Sequence, residues 1–325
     1  MNPVKLPEMT IPSFNDIQTA YIRIHKHIHR TPVLKAESVN ALTGAVLYFK
    51  CENFQKAGAF KYRGAANAVL SLTEEEARHG VATHSSGNHA AALALAAQKK
   101  GIRCYVAMPR TAPAVKIEAV KGYGAGITFC EPTLESREEV LAGILKDTGA
   151  TFIHPFNSFP VICGQGTAAL EFLEDEPDLE MMLVPVGGGG ILSGSVIAAK
   201  SIHPDITVYG CEPRNADDAC RSFHTGQLQL SVNPRTLADG LLTSLSPLTF
   251  EIIRHRVDDI FTVSEESIVL AMLMIWQRMK IIVEPSSAVA LAVVLENPEL
   301  FRGKRTGIIL TGGNADLMNL PFGQK

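Results

Sequence analysis

The sequence lacks an excess of charge of either sign: 30 lysines and arginines stand against 33 aspartates and glutamates, a formal net charge of −3. No basic stripe exists to follow a phosphate backbone or an anionic bilayer, so neither nucleic acid nor membrane is an expected partner. Long apolar runs are missing too. The most apolar stretches are interrupted by four glycines at 187–190 or by Arg278, Lys280 and Glu284, which argues against a membrane-spanning helix. Residues 1–12 hold no apolar segment of the kind a secretory signal needs. Cysteine is sparse, at 51, 104, 130, 163, 211 and 220, and no two have C-x-x-C spacing. Six isolated thiols in a long chain predict reduced, mostly buried side chains and a cytoplasmic setting. No low-complexity linker and no internal repeat divides the 325 residues.

What is present is a regular alternation. Short apolar runs predict strands over 45–49, 81–84, 104–108, 127–130, 151–155, 182–186, 207–211 and 307–310. Helix-like segments fall between them at 88–100, 113–123, 136–147, 167–174 and 191–201. Strands alternating with helices of this length make an α/β protein with a largely parallel sheet. Several strands read as unbroken Val, Ile, Leu and Met, as expected for burial on both faces. In open parallel sheets ligands bind beyond the carboxyl ends of the strands, and three small or polar clusters lie there.

The first cluster is Gly187-Gly188-Gly189-Gly190, leaving an apolar run and entering a helix. Four glycines in a row are costly in chain entropy. They suit a backbone that turns tightly and presents N–H groups to an anion at a helix N-terminus. No Gly-Lys-Ser/Thr follows, so this is not a Walker A loop. The second is His84-Ser85-Ser86-Gly87-Asn88-His89, richer in hydrogen-bonding side chains than helix capping requires. The third, Thr311-Gly312-Gly313-Asn314, is weak alone. Lys61 lies among small and aromatic residues in Ala59-Phe60-Lys61-Tyr62. A desolvated lysine has a lowered pKa and attacks aldehydes. Such a lysine with a phosphate cradle suggests pyridoxal 5′-phosphate. His25, His27 and His29 offer no metal set, since only the first and last would share a helical face and no cysteine or carboxylate completes them.

These motifs, in this order with Arg30-Thr31-Pro32, Lys50-Cys51-Glu52-Asn53-Phe54-Gln55, Gly164-Gln165-Gly166-Thr167 and Glu284-Pro285, resemble the fold-type II pyridoxal-phosphate enzymes over nearly the whole chain. The nearest branch is that of serine racemase and the short serine/threonine dehydratases. The resemblance implies a tryptophan-synthase-β-like α/β fold of two open twisted domains with mostly parallel sheets. A large cofactor-binding domain would take 1–70 with 160–325, and a small substrate-closing domain 80–158. Lys61 matches the lysine that bonds the cofactor's aldehyde and removes the α-proton. Phe60 and Gly240 match the residues on either side of the cofactor ring, Asn88 the ligand of its phenolic oxygen, Gly187, Gly188, Gly189 and Gly190 the phosphate loop, and Thr311 the hydroxyl facing the pyridine nitrogen. A hydroxyl there stabilises a pyridinium less than a carboxylate would, which favours prompt loss of a β-leaving group.

The resemblance assigns the substrate's carboxylate to Ser85, Ser86 and His89, aided by the following helix N-terminus, and places Thr243 and Arg137 near the substrate. Arg137 either holds a second carboxylate by bidentate contact or is a solvated helical arginine. Ser86 matches the second acid/base of serine racemase, where threonine dehydratases often have alanine; racemisation needs proton carriers on two faces and elimination only one. Phe156 is the residue common in dehydratases at its position. Ala59 replaces the usual serine or threonine, and Ala91 replaces a glutamine that contributes to nucleotide binding in mammalian-type racemases, which speaks against activation by ATP. Glu212, the Ala216 carbonyl and Asp218 resemble the family's divalent-cation segment and suit Mg²⁺, Ca²⁺ or Mn²⁺. The expected activity is an ammonia-lyase: a small L-β-hydroxy amino acid (serine, threonine or 3-hydroxyaspartate) loses water and yields a 2-oxo acid and ammonia. An amino-acid racemase of serine or aspartate with side dehydratase activity is the alternative. A homodimer is implied by the family alone.

Overall fold

The structure is a computed structural model and describes residues 10–85 and 87–322. Its strands are β1 (Val33–Lys35), β2 (Val46–Cys51), β3 (Val81–His84), β4 (Cys104–Pro109), β5 (Gly126–Cys130), β6 (Thr151–Phe152), β7 (Met181–Pro185), β8 (Thr207–Pro213), β9 (Asp259–Val263) and β10 (Arg305–Leu310). One sheet has the order β1-β2-β10-β7-β8-β9 and the other β5-β4-β3-β6. Only the β1–β2 pairing is antiparallel; the remaining pairings are parallel.

Parallel pairing requires a crossover between successive strands, and the crossovers are helices that cover both faces. The strand period shows which face each residue takes. Met182 and Val184 enter one core with the helices Phe159–Asp175 and Gly190–Ile202. Leu183, between them, enters the other core with the helix Pro285–Glu296. β10 divides likewise, Ile309 facing the first core and Ile308 and Leu310 the second. The four-stranded sheet packs on the alanine-rich helix Asn88–Lys100, whose residues 89–97 are all buried.

All eight segments expected as strands hold one, and the differences are at their ends. β6 stops at Phe152, three residues early, because the His154 Nδ1 accepts the N–H groups of Phe156 (3.3 Å) and Asn157 (2.9 Å) and turns the chain. The helix expected from residue 167 begins at Phe159, its first turn disguised by Pro160 and its middle by two glycines. The helix Phe14–Ile24 ends before the three histidines; the His29 ring instead lies 3.0 Å from the Phe54 carbonyl. β1 and β9 are additional; β9 is an edge strand whose half-buried Asp259, Phe261 and Thr262 blur its apolar pattern.

The helices Phe159–Asp175 and Gly190–Ile202 cross at bare backbone. A Cβ on Gly194 would lie 2.5 Å from the Ile162 carbonyl oxygen and 2.6 Å from the Gly166 nitrogen. Gly194→Ala is therefore expected to destabilise by about 1–3 kcal/mol through overpacking, read as a lower urea midpoint; an unchanged midpoint would show that the crossing yields.

Candidate active site

The site is assembled from chain segments that leave the carboxyl ends of β2, β3, β6, β7 and β10. After β2 two short 3₁₀ turns, Glu52–Phe54 and Lys56–Gly58, reverse the chain. Ala57 and Gly58 both take positive φ, +57° and +69°. The Gly58 position has no room for a side chain, since its Cβ would fall on the Asn314 carboxamide. The Phe60 N–H then donates to the Thr311 carbonyl at 3.0 Å, tying this loop to the end of β10, and Lys61 opens the helix Lys61–Leu70.

Lys61 is half-buried, and its Nζ donates to the Pro155 carbonyl at 3.2 Å and lies 5.1 Å from the Phe60 ring centroid. Desolvation pulls its pKa down to about 8, against an opposing pull from the Glu284 carboxylate. A large fraction of neutral amine at mild pH is what a nucleophile or base requires.

Two residues further on, Arg63 is wholly buried and directs every N–H inward. Nε donates to Glu52 (2.7 Å), Nη2 to Glu52 (2.8 Å) and Glu171 (2.7 Å), and Nη1 to Glu171 (3.0 Å) and Thr167 (3.2 Å). Lys50, also fully buried, completes the cluster at 3.0 Å from Glu171.

The glycine loop follows β7. A Cβ on Gly187 would meet the Gly240 carbonyl oxygen at 3.2 Å, so the structure sets the two expected cofactor-binding positions side by side. A Cβ on Gly188 would fall on the Phe156 ring. Gly189 has φ +83° and caps the helix that starts at Gly190. The first N–H groups of a helix have no intrahelical acceptor, so this bare turn fits a phosphate. With the desolvated Lys61 nearby, the residues fit a group that carries both a phosphate and an aldehyde. Thr311 is buried, with its Oγ1 3.4 Å from the Ser287 Oγ.

Asn88 lies at the start of its helix, where its Nδ2 donates to Glu284 at 2.7 Å and its Oδ1 accepts from Asn314 at 3.0 Å. Burial pushes the Glu284 carboxyl up to about 7. The Lys116 ammonium, on the small-sheet side, pairs with Asp239, next to Gly240. The Ser85 Oγ accepts the Gly87 N–H at 3.3 Å. His89 is buried; its Nε2 donates to the Ile153 carbonyl at 3.2 Å, and burial holds its pKa well below the usual value. It is thus a neutral strut rather than a cation for a carboxylate. His84, His154 and Phe156 form an aromatic ladder, His84 to His154 at 5.7 Å and His154 to Phe156 at 4.6 Å. Burial takes His154 down to about 3. Arg137 is half-buried, adds to the burial that depresses the His84 pKa, and its buried Nε has no partner among the described residues. Thr243 is exposed just beyond the turn bearing Gly240. Ser86 lies outside the described residues.

Glu212 and Asp218 sit apart, at the end of β8. Both Glu212 oxygens accept backbone N–H groups, from Ala219 at 3.0 Å and Cys220 at 2.9 Å. Both Asp218 oxygens are buried and have no hydrogen-bond partner among the described residues. Burial, then Asp218, pushes Glu212 up to about 9. Ala216 is buried beside them. Among the described residues no cluster of three or more His, Cys, Asp or Glu side chains forms.

Sequence reasoning gave no role to Glu284, Lys116, Asp239, Ser287 or Gln165. The available signal was Glu284-Pro285-Ser286-Ser287, a carboxylate and two hydroxyls at a helix start within an apolar stretch. Because Glu284 raises the Lys61 pKa, Glu284→Gln is expected to move the pH midpoint for capture of a small aromatic aldehyde, followed by absorbance, to below about 8. A midpoint that stays or rises would mean that the two groups do not interact.

Residues 24–312 match the family model described as "Pyridoxal-phosphate dependent enzyme". A β-hydroxyaspartate dehydratase of Paracoccus denitrificans is 50% identical over 314 residues, 97% of this chain and 100% of that protein. A serine racemase of Dictyostelium discoideum is 48% identical, over 96% of this chain and 98% of its own. The solved structure of maize serine racemase superposes with a TM-score of 0.93 at 44% identity, covering 95% of each chain. The chain therefore belongs to the pyridoxal-phosphate dependent enzymes of fold type II, the family whose cofactor the lysine and the glycine loop fit.

Proposed function

We propose that this protein is an ammonia-lyase of L-β-hydroxy amino acids, with 3-hydroxyaspartate as the substrate its site suits best. The observation that carries the substrate choice is Arg137: a half-buried guanidinium with an unpartnered, buried Nε beside His84. An unsatisfied buried donor of this kind costs about 1–3 kcal/mol, and a β-carboxylate on the substrate relieves it. The name of the Paracoccus relative supports the same choice.

Bound pyridoxal phosphate supplies an electron sink that acidifies the α-hydrogen of the attached amino acid. The chain supplies the rest. Lys61 holds and moves the α-proton at its Nζ. Ser85 and the helix N-terminus at Asn88 orient the α-carboxylate. Thr311 offers a neutral hydroxyl where a carboxylate would strengthen the sink, which suits departure of the β-hydroxyl over long carbanion lifetimes. Lys116 and Asp239 pair across the mouth of the cleft.

A second reading, racemisation of serine or aspartate with side dehydratase activity, is supported by the racemase relatives and by Ser86 in the sequence. A divalent cation, Mg²⁺, Ca²⁺ or Mn²⁺, is proposed at Glu212, the Ala216 carbonyl and Asp218, on the strength of Asp218's buried, unpartnered oxygens. Homodimerisation is proposed on the likeness to the family alone. A cytoplasmic setting accords with six unpaired cysteines, five of them buried; no helix among the described residues is long and apolar enough to cross a membrane.

The first test is 2-oxo-acid release from L-serine, L-threonine and L-threo-3-hydroxyaspartate, with chiral analysis of what remains. Arg137→Met is expected to cost about 10²-fold in kcat/KM on hydroxyaspartate, an energy in the range of a charge-assisted hydrogen bond, and little on serine. Equal losses on both substrates would refute the second-carboxylate role. D-isomer accumulating faster than oxo acid, and lost in Ser86→Ala, would replace the lyase reading by the racemase one. For the cation, added Mg²⁺ is expected to raise the thermal midpoint by mass action, and Asp218→Asn to abolish that rise; a rise that survives the substitution places the ion elsewhere.

A further inference from the structure

Gln165 is an anomaly in the described core. It is fully buried, and among the described residues neither its Nε2 nor its Oε1 has a hydrogen-bond partner. A buried carboxamide left wholly unsatisfied costs more than an apolar side chain of the same size would. Native structures rarely retain one without a use.

Its position suggests the use. Gln165 lies in the helix Phe159–Asp175, between the lysine helix and the glycine loop. A Cβ on Gly64 would lie 3.1 Å from the Gln165 Cγ, and a Cβ on Gly190 only 2.5 Å from the Gln165 Oε1. The carboxamide therefore reaches the first residue of the helix Gly190–Ile202, with no side chain between it and the backbone there. The other neighbour at Gly190 is Phe156, whose Cβ would be 3.0 Å away and which offers no side-chain hydrogen-bonding atom. Oxygen and nitrogen of a carboxamide exchange by a half-turn of the last torsion, so either atom can face the loop.

We propose that Gln165 is a further ligand of the phosphate group seated on residues 187–190, to which its Nε2 donates a hydrogen bond. The loop's backbone N–H groups approach the anion from the helix end, and the carboxamide adds a donor from the neighbouring helix. A neutral donor fits here. A lysine or arginine would bury a further cation against the lysine helix, whereas a glutamate would repel the anion. Gln165 also couples the two parts of the site, because the same helix packs on the lysine helix through Gly64.

The experiment compares cofactor binding and folding in two variants. Gln165→Met fills the same volume without a donor, and Gln165→Glu keeps the shape but adds charge. Each is stripped of cofactor and titrated with pyridoxal phosphate by absorbance, and separately with inorganic phosphate by thermal midpoint. The expected result for Gln165→Met is an apoprotein at least as stable as the native one, because the unsatisfied amide is gone. Its cofactor affinity should be about ten- to a hundredfold weaker, the worth of one hydrogen bond to a charged group, and its response to phosphate smaller. Gln165→Glu should bind the cofactor more weakly still. Affinities within about twofold of native in Gln165→Met would overturn the proposal and make Gln165 a spacer. Should either variant fail to fold, a crystal structure of the native holoenzyme decides: the carboxamide within hydrogen-bond distance of a phosphate oxygen supports the proposal, and any other position overturns it.

Discussion

A four-charge cluster under the lysine helix is the constraint on which the geometry of the site depends. Arg63, Lys50, Glu52 and Glu171 are all but excluded from solvent. Burying four charges is costly, and the cost is offset only when every donor and acceptor is matched. Here it is: the five N–H groups of Arg63 end on Glu52, Glu171 and Thr167, Glu52 also accepts the Thr31 hydroxyl at 2.6 Å, and Lys50 donates to the Thr31 carbonyl at 2.8 Å. Removing one partner from such a set costs about 3–5 kcal/mol, since the others are left charged and buried. A planar guanidinium between two carboxylates also resists rotation. The first turn of the lysine helix is thereby fixed against β2 through Glu52 and against the helix Phe159–Asp175 through Glu171. That second helix packs on the one the glycine loop begins, so Lys61 and the loop are held in a single frame.

The same desolvation is left uncompensated a few ångströms away, with the opposite result. Among the described residues no carboxylate lies within ion-pair distance of Lys61, whose Nζ donates instead to the Pro155 carbonyl, so burial lowers its pKa instead of being cancelled. The Glu284 carboxylate is not an ion-pair partner of Lys61: its Oε1 accepts from Asn88, its Oε2 has no partner among the described residues, and burial raises its own pKa to about 7. His89 and His154 are kept uncharged by the same burial. The histidines of the site thus add no fixed charge to that of Lys116, Asp239 and Arg137.

Much of this was legible in the residues, and the remainder fails for identifiable reasons. Parallel strands buried on both faces carry continuous apolar runs, so β7, β8 and β10 stand out. β9, a polar-blurred edge, does not. Four glycines in a row and a lysine flanked by small and aromatic residues advertise themselves because few ordinary structures need them. Glu284, Lys116 and Asp239 were illegible as a set. They lie far apart in the chain, each has the look of a solvated surface charge, and only the closing of the two sheets on one another brings them together. Gln165 was hidden differently: its motif was visible, but whether a carboxamide is satisfied is a property of the folded surroundings. His89 is offered to a carboxylate by the resemblance; in the structure its Nε2 donates to the Ile153 carbonyl and its Nδ1 has no partner among the described residues.

The architecture also explains why relatives named dehydratase and racemase stand at 50% and 48% identity to one chain. The two cores and the helices crossing on glycine are where packing tolerates little. The chemistry is decided at the strand ends. β3 delivers Ser85 and Asn88, β6 delivers His154 and Phe156, β7 the phosphate loop and β10 Thr311, and loops at those ends change without disturbing either sheet. Between an elimination and a racemisation the difference is one additional proton carrier, and a second carboxylate on a substrate calls for one further cation. Arg137 lies on the helix Leu134–Thr148, which packs on the smaller sheet. The larger sheet, with its charged cluster, its lysine and its glycine loop, serves every one of these reactions unchanged.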